Sequence, residues 1–465
     1  MIDINMEMLE ARLKQAIDSI NPNEKFKLIS ITKQIDKNNP LQIFEGAKTL
    51  YKDRFYWTSA DRNLTFTGVG KVHVLEADED RFAHTEEQWK ALLKKATIDN
   101  PYESIPGTGI VAFGGMSFDP LEETTALWKK FQQSQFYIPE LMFTEYKETH
   151  YLTINVLASK TDDAEELADH LEAAGKSFLN GEVFSGQDLQ IEKEIEIDPL
   201  TWKQSVRQAT EEITEGKAEK IVLAREIRLH FDQQANIASV IKNLIKTQQT
   251  SYIFAFESDG DCFIGATPER LVKVEKSNLL STCLAGTAPR GQTAEEDRKI
   301  GKQLLTDEKN RQEHEFVVKM IKKALLKSCK HVEIPKEPVL LRLENLQHLY
   351  TPVTGQLMED YTIFNVVEEL HPTPALGGTP TKESLAFIRE HELLDRGWYG
   401  APIGWVDSNN NGEFAVAIRS GLIQGDEASL FAGCGVVADS EPEMEYEETK
   451  IKLLPMRNVL GGHSE

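Results

Sequence analysis

Several common signatures are missing from this chain. It carries four cysteines in 465 residues, Cys262, Cys283, Cys329 and Cys434, with no CxxC pair among them. Each lies in or near an apolar segment, so buried free thiols are expected before disulfides or metal ligands. No apolar run reaches the length of about 18 residues that a membrane span needs. The opening stretch MIDINMEMLEARLKQ lacks the apolar core of a signal peptide, and the expected location is cytoplasmic. No Lys/Arg-rich tract occurs, and 75 acidic residues against 52 basic ones give a formal net charge of −23. Such a chain repels nucleic acid and anionic membrane surfaces, so neither is expected as a partner. The patterns GxxxxGK[ST], HExxH, GxSxG and the EF-hand loop are absent. GVGK at 68–71 and AGKS at 174–177 are fragments, read as a turn and a helix surface. Paired glycines at 114–115, 377–378 and 461–462 mark tight turns or close backbone approaches. No solenoid repeat or low-complexity tract is seen.

What is present looks globular. Hydrophobic content of 40% and charged content of 27% suit a chain that buries a large core. A helical pattern spans 4–20, and others fall at 86–96 and 163–179. Between them run strand-like segments: KLISITKQI, RFYWTSA, LTFTGVG, KVHVLEA, TGIVAFGGMSF, YIPELMFTEY and HYLTINVLA. The charged, proline-punctuated stretch 189–201 reads as a seam between two halves. Beyond it, strands are predicted at 219–229, 251–257, 261–265, 269–275, 339–344, 413–419 and 428–437. Helices are predicted at 201–214, 235–246, 294–307, 309–329, 361–369, 381–390 and 441–453. Short strands without a βαβ rhythm favour an α+β fold of mainly antiparallel sheets with helices outside. Residues 1–195 and 196–465 are read as two halves of one structural domain.

Charged residues interrupt the apolar pattern at a few places. An acidic protein that handles an anionic small molecule needs a local cation cluster or a metal ion. In GKAEKIVLAREIRL (216–229), Lys220 and Arg225 flank a buried strand. Alternation puts Lys220, Val222 and Ala224 on one face and Ile221, Leu223 and Arg225 on the other. In NRQEHEFVVKMIKKALLKS (310–328), Phe316, Val317, Met320, Ile321, Ala324 and Leu325 form an apolar stripe. Glu313 lies on that stripe by spacing; it is either paired, metal-bound or simply favoured by the helix dipole. Glu445, Glu448 and Lys452 share one face of a C-terminal helix. They are either a solvated salt-bridged face or part of an oxygen-ligand site suited to Mg²⁺. Arg419 follows the alternation of FAVAIRSGLI (414–423), as a strand-end charge or as a carboxylate partner. Glu269 sits on a turn entering a strand in GATPERL, where turns position catalytic groups. His348 in LQHLYTP is either a core histidine or a substrate contact.

Taken in order, these segments resemble the chorismate-utilising enzymes. The resemblance runs over about residues 200–456 through KIVLAR, FIGATPERL, LAGTAPRG, DEKNRQEHEFV, LQHLYTPVTGQL, LHPTPALGGTP, GWYGAPIGW, FAVAIRS, FAGCGVV and EYEETKIK. The first half matches less sharply, although FGGMSFDP (113–120) looks like the N-terminal glycine turn of that family. The resemblance implies one large α+β domain of two stacked antiparallel sheets flanked by helices, with chorismate bound between them. It implies Mg²⁺ on Glu313 and Glu448, with Glu445 supporting the metal and its waters. Relatives often carry an acid where this chain has Asn310. Arg419 and Tyr399 match residues that hold the enolpyruvyl carboxylate, Lys452 a lysine near the substrate carboxylates, and Gly433 a backbone contact.

The resemblance also separates members by what they add. Ammonia-adding members carry glutamine where this chain has Lys220, and aminodeoxychorismate synthases tend to carry lysine at Ala285. Members that add water have lysine and glutamate at the positions of Lys220 and Glu269, and no glutaminase subunit is expected. Lys220 then acts as the base on water and Glu269 as the acid on the departing C4 hydroxyl. Both roles oppose the resting states of free lysine and glutamate, and burial moves both pKa values in the useful direction. Lys220 is thus expected to be a partly buried amine of lowered pKa. Salicylate synthases, which go on to eliminate pyruvate, resemble PTVTASG where this chain reads PTPALGG, with threonine at Ala375. Ala375 favours stopping at isochorismate, and the N-terminal length resembles the menaquinone-pathway isochorismate synthases. Salicylate synthesis and non-catalytic chorismate binding on the same fold are the alternatives.

Overall fold

Alternating apolar segments form strands through most of the chain, and two extended sheets result. The computed structural model describes residues 6–342 and 346–462. The first half contributes β1 (Lys27–Ile35), β2 (Arg54–Thr58), β3 (Leu64–Val69), β4 (His73–Glu76), β5 (Thr97–Asp99), β6 (Val111–Met116), β7 (Ser134–Ile138), β8 (Leu141–Tyr146) and β9 (Thr149–Ala158). Its helices are α1 (Met6–Asp18), α2 (Pro40–Gly46), α3 (Arg81–Lys95) and α4 (Ala164–Asn180). The second half contributes β10 (Ile191–Glu196), β11 (Ile221–Phe231), β12 (Tyr252–Ser258), β13 (Asp261–Thr267), β14 (Arg270–Glu275), β15 (Asn278–Pro289), β16 (Cys329–Glu333), β17 (Val339–Arg342), β18 (Leu346–Leu357), β19 (Pro402–Asp407), β20 (Gly412–Val416), β21 (Ser420–Gln424) and β22 (Glu427–Val436). Its helices are α5 (Pro199–Thr214), α6 (Ile237–Thr247), α7 (Ala294–Thr306), α8 (Glu308–Ser328), α9 (Ile363–Leu370), α10 (Pro374–Gly377), α11 (Thr381–His391) and α12 (Pro442–Val459).

The first sheet runs β10-β11-β22-β21-β13-β12-β2-β3-β8-β9-β1-β5, and the second runs β16-β18-β15-β14-β20-β19-β6-β7-β4 with β17 beside β18. Apart from the parallel β1–β5 pair, the ladders are antiparallel. The order hides a duplication. Reading outward from the β12–β2 pair, β12, β13, β21, β22 and β11 mirror β2, β3, β8, β9 and β1. In the second sheet β19, β20 and β14 mirror β6, β7 and β4. The second half departs from the first by its β15–β18 block with α7 and α8. At the seam of the halves, Arg54 on β2 donates two hydrogen bonds of 2.6 Å to Glu257 on β12. Burial raises the pKa of Glu257 and the Arg54 guanidinium opposes it; breaking such a pair costs about 3–5 kcal/mol.

Between the sheets lies an aromatic layer that includes Trp57, Phe113, Tyr252, Phe256, Trp398 and Trp405. The outer face of the first sheet is covered by α2, α6 and α12, and that of the second by α3, α8 and α9. All four cysteines are free and buried.

Several sequence expectations are corrected. YIPELMFTEY is two strands: β7 lies in the second sheet and β8 in the first, with the break at Pro139–Glu140. FAVAIRSGLI also breaks, because Arg419 adopts a left-handed conformation at φ 50°; β20 ends in the second sheet and β21 begins in the first. The first half of the glycine turn read at 113–120, residues 113–116, is strand β6. Its Gly114 is required because a Cβ there would lie 1.9 Å from the carbonyl oxygen of Gln135 on β7. The segment 189–201, read as a seam, is itself regular structure: it forms β10, paired with β11, and the start of α5. The long antiparallel pairing of β15 with β18 is not among the sequence expectations. Residues 4–5 of the first predicted helix and 343–344 of the strand predicted at 339–344 lie outside the described residues.

Candidate active site

Two neighbouring crossovers between the sheets carry the first pair of site residues. The chain leaves β13 for β14 at Pro268–Glu269 and returns from β20 to β21 at 417–419. The crossovers hold each other: Val416 N–H donates to the carbonyl of Glu269, and Ala266 N–H donates to that of Arg419. Glu269 is half-buried, and loss of hydration pushes its pKa up to about 7 against the opposing charges of Arg419 and Lys452. Burial lowers the pKa of Arg419, which faces Tyr399, Glu269 and Glu448. Tyr399, raised to about 12 by burial, packs against Phe431 at 5.4 Å between centroids, with the ring planes tilted by 37°. His348 is lowered to about 4 by burial and by Arg419. Its Nδ1 lies 2.9 Å from the Thr287 hydroxyl, and its ring is neutral near pH 7.

The second wall is built by β11, β22 and α12. Ala224 pairs with Gly433 and Val222 with Gly435. Ala224 and Phe431 join the layer between the sheets, so the 220–222–224 face looks toward the second sheet. Arg225 points the other way, where it donates to the Thr449 hydroxyl and lies 4.0 Å from the Tyr446 ring centroid. The alternation read from KIVLAR thus places the two cations correctly on opposite faces. Lys220 precedes β11 in an isolated bridge with Thr379. Its ammonium donates to Glu313 Oε1 at 2.9 Å, with 23% of the side chain exposed. Lys452 on α12 donates to the Gly433 carbonyl at 2.8 Å and pairs with Glu448 at 2.6 Å. Glu445 accepts from the Ser440 hydroxyl at 2.7 Å.

Glu313 is not on the inward stripe as spacing suggested. The buried line of α8 runs through His314, Ile321, Ala324, Leu325 and Ser328, while Phe316 is exposed. The reason is that His314 is satisfied inside: its Nε2 lies 2.7 Å from the Thr351 hydroxyl and its Nδ1 3.1 Å from the Ala285 carbonyl. Anchoring His314 leaves Glu313 at the stripe's edge, half exposed and free to meet Lys220. Asn310 instead bonds Asp307 at the start of the helix. Ala375 is exposed on the short α10, which packs beside β11 and β22. A separate pocket of about 170 Å³, lined by Ser59, Asp61, Lys147, Lys273 and Trp405 among others, touches none of these residues.

The carboxylates of Glu313 and Glu448 are hard oxygen donors, each about half exposed and each balanced by a lysine. Among the described residues no group of three or more His, Cys, Asp or Glu side chains stands close enough to hold a metal ion. Carboxylate oxygens are the kind of donor Mg²⁺ prefers, and water and ligand oxygens would complete its shell.

A half-buried acid of raised pKa beside two cations, Arg419 and Lys452, with the Lys220–Glu313 pair, suits an enzyme acting on a small dianion. The chain belongs to the chorismate binding enzyme family, whose pattern matches residues 12–461. It is 46% identical over 441 residues to isochorismate synthase MenF of Bacillus subtilis, covering 94% of each chain. It is 34% identical to the salicylate biosynthesis isochorismate synthase of Pseudomonas aeruginosa, over 98% of this chain and 94% of that one. Its fold matches the menaquinone-specific isochorismate synthase MenF of Escherichia coli with a TM-score of 0.79 at 23% identity, over 98% of this chain and 99% of that one.

One residue not singled out from sequence is Gly435. A Cβ there would lie 2.5 Å from Lys220 Cε and 3.1 Å from its Nζ. The lysine therefore lies across a gap that only glycine leaves, and the small-residue run GCG at 433–435 is its signal. Gly435→Ala is expected to fold normally, because the flexible lysine yields before the strand does. The displaced amine should lower kcat about 10²-fold. Turnover together with a thermal melt checks this; a wild-type kcat would remove Gly435 from the site.

Proposed function

We propose that this protein is an isochorismate synthase, interconverting chorismate and isochorismate by transposing a hydroxyl group. The observation that carries the reading is the combination of Lys220 and Glu269 beside Arg419 and Lys452. A base and an acid are set beside cations that suit the two carboxylates of chorismate. Lys220 takes a proton from water as its oxygen bonds to C2. The ring double bonds shift, the C4–O bond breaks, and Glu269 delivers its proton to the departing hydroxyl, which leaves as water. One water enters and one leaves, so the reaction is an isomerisation, and each proton transfer contributes on the order of 10²–10⁴-fold.

Arg419 and Tyr399 hold the enolpyruvyl carboxylate, with Arg419 able to make a two-pronged contact. Lys452 lies near the substrate carboxylates, Gly433 gives a backbone contact, and neutral His348 faces the ligand as an uncharged donor or acceptor. Glu313 and Glu448, with Glu445 in support, would hold Mg²⁺, which neutralises the ring carboxylate when bound. With Glu313 engaged as a metal ligand, Lys220 would be without its ion-pair partner and free to meet water. Ala375 at the α10 turn is consistent with release at the isochorismate stage. The protein acts in the cytoplasm without a glutaminase partner, and the likeness to the Bacillus subtilis enzyme supports a role in menaquinone biosynthesis. No helix of the described residues is long and apolar enough to cross a membrane.

Product analysis tests the reading. Purified protein with chorismate and Mg²⁺ is expected to form isochorismate, with or without ammonia, and to lose turnover in EDTA until Mg²⁺ is restored. Salicylate with pyruvate, or an aminated product, would overturn it. Lys220→Ala is expected to fold and to lose turnover by at least about 10²-fold.

The pH dependence follows from Glu269. Its raised pKa keeps the carboxyl protonated below about 7, the form a general acid needs. Activity in the chorismate-to-isochorismate direction is therefore present at lower pH and declines as pH rises through about 7. A kcat/KM profile should show that alkaline limb, and Glu269→Gln should abolish it along with most turnover. Persistence of the limb in Glu269→Gln would assign it to another group.

A further inference from the structure

Along β11 one edge lacks a neighbouring strand where the chemistry is. On that side β10 pairs only as far as Ile227. The backbone groups from Lys220 to Ala224 therefore need partners of another kind. Thr379 bonds Lys220 in both directions, and the Ser384 hydroxyl donates to the Lys220 carbonyl at 3.0 Å. Arg396 donates to the Val222 carbonyl at 2.8 Å. Glu392 accepts the Ala224 N–H at 2.7 Å. The Trp202 indole N–H donates to the Ala224 carbonyl at 2.9 Å.

Arg396 and Glu392 are joined by two bonds of 2.6 and 2.7 Å, and their side chains are almost wholly buried. Arg396 also donates to the Leu376 carbonyl on α10 at 2.9 Å and lies 4.2 Å from the Phe118 ring centroid. A buried ion pair used for stability alone is often replaceable by apolar residues of similar volume. Here the pair satisfies three backbone groups on two elements, and an apolar pair would leave all three orphaned. Two of those groups lie two and four residues from Lys220.

We propose that Arg396 and Glu392 are positioning residues for Lys220. They stand in for the absent strand, fix β11 against α10, and thereby set where the lysine enters the site. The pair touches neither Lys220 Nζ nor the Glu313 carboxylate and acts through the backbone. The inference rests on the catalytic reading of Lys220, and the experiment separates the two.

Arg396→Lys and Glu392→Gln are compared with wild type for kcat and KM on chorismate with Mg²⁺. The folded fraction at assay temperature is read by near-ultraviolet circular dichroism, and kcat is expressed per folded protein. The expected result is a fall in kcat of about 10²-fold with KM changed less than about threefold. In a Lys220→Ala background the same changes should leave residual turnover within about twofold, because residues acting as a unit are not additive. An unchanged kcat per folded protein, a change in KM alone, or a full further loss in the Lys220→Ala background overturns the inference. Wild-type turnover in Lys220→Ala alone overturns the catalytic reading and the inference with it. If the buried substitutions do not fold, Ser384→Ala removes one bond to the Lys220 carbonyl with little disturbance. It should lower kcat severalfold at constant KM; a wild-type kcat there counts against the inference.

Discussion

A strand that leaves one sheet to enter another must give up its ladder hydrogen bonds at the crossing. The placement of Glu269 and Arg419 follows from where those crossings fall. At Pro268–Glu269 and at 417–419 the backbone departs from regular pairing, and the two crossings satisfy each other through Val416 and Ala266. Side chains at such points are released from in-and-out alternation. Glu269 and Arg419 therefore face the same space although they sit 150 residues apart in sequence. Arg419 adopts its left-handed backbone without being glycine, a conformation of the kind that clusters at functional positions.

Charge distribution follows the same geometry. The chain is strongly acidic as a whole, yet Lys220, Arg419 and Lys452 converge on one region. Each is matched to a carboxylate there: Lys220 to Glu313, Lys452 to Glu448, and Arg419 electrostatically to Glu269 and Glu448. The region is therefore balanced in itself, and a dianionic ligand can be accommodated by reassigning these partners. Burial separates the roles further. It moves Glu269 toward the protonated form and holds His348 neutral, so the residues that would donate protons or hydrogen bonds are set apart from those that stay charged.

Much of this was legible in the sequence, for a physical reason. Charged residues beside apolar strand patterns are conspicuous, and Lys220, Glu269 and Arg419 all stand at such places, while Lys452 was picked out by its helical spacing from Glu445 and Glu448. Opposite faces for Lys220 and Arg225 followed from alternation alone. Features set by tertiary pairing were not legible. The break at Arg419 lies inside FAVAIRSGLI, where apolar residues continue on both sides, so the pattern alone does not separate two strands. His314 reads as polar, and only its bonds to Thr351 and Ala285 make it the inward residue of α8. The β15–β18 pairing was hidden by Pro352 in the middle of β18. That proline is tolerated because β17 pairs with residues 347–350 and β16 with 354–357. Its missing N–H falls in the gap between them.

Among the described residues, the insertion into one copy of the duplicated framework explains why a site is completed in one half and not in the other. The first half makes equivalent crossings at Gly70–Lys71 and at Pro139–Glu140. There the crossings close on each other: Glu140 N–H donates to the Val69 carbonyl and Val72 N–H to that of Ile138. The Glu140 side chain lies over Gly70, where even a Cβ would come within 2.8 Å of it. In the second half the chain inserts α7, α8 and the β15–β18 block after β14, beside the matching crossings. That insertion brings Glu313 and His348 to the site, while α12 brings Glu445, Glu448 and Lys452 from the far end of the chain. A repeated sheet framework thus supplies the crossings twice, and only the half that carries the insertion gains the groups that complete a site around them.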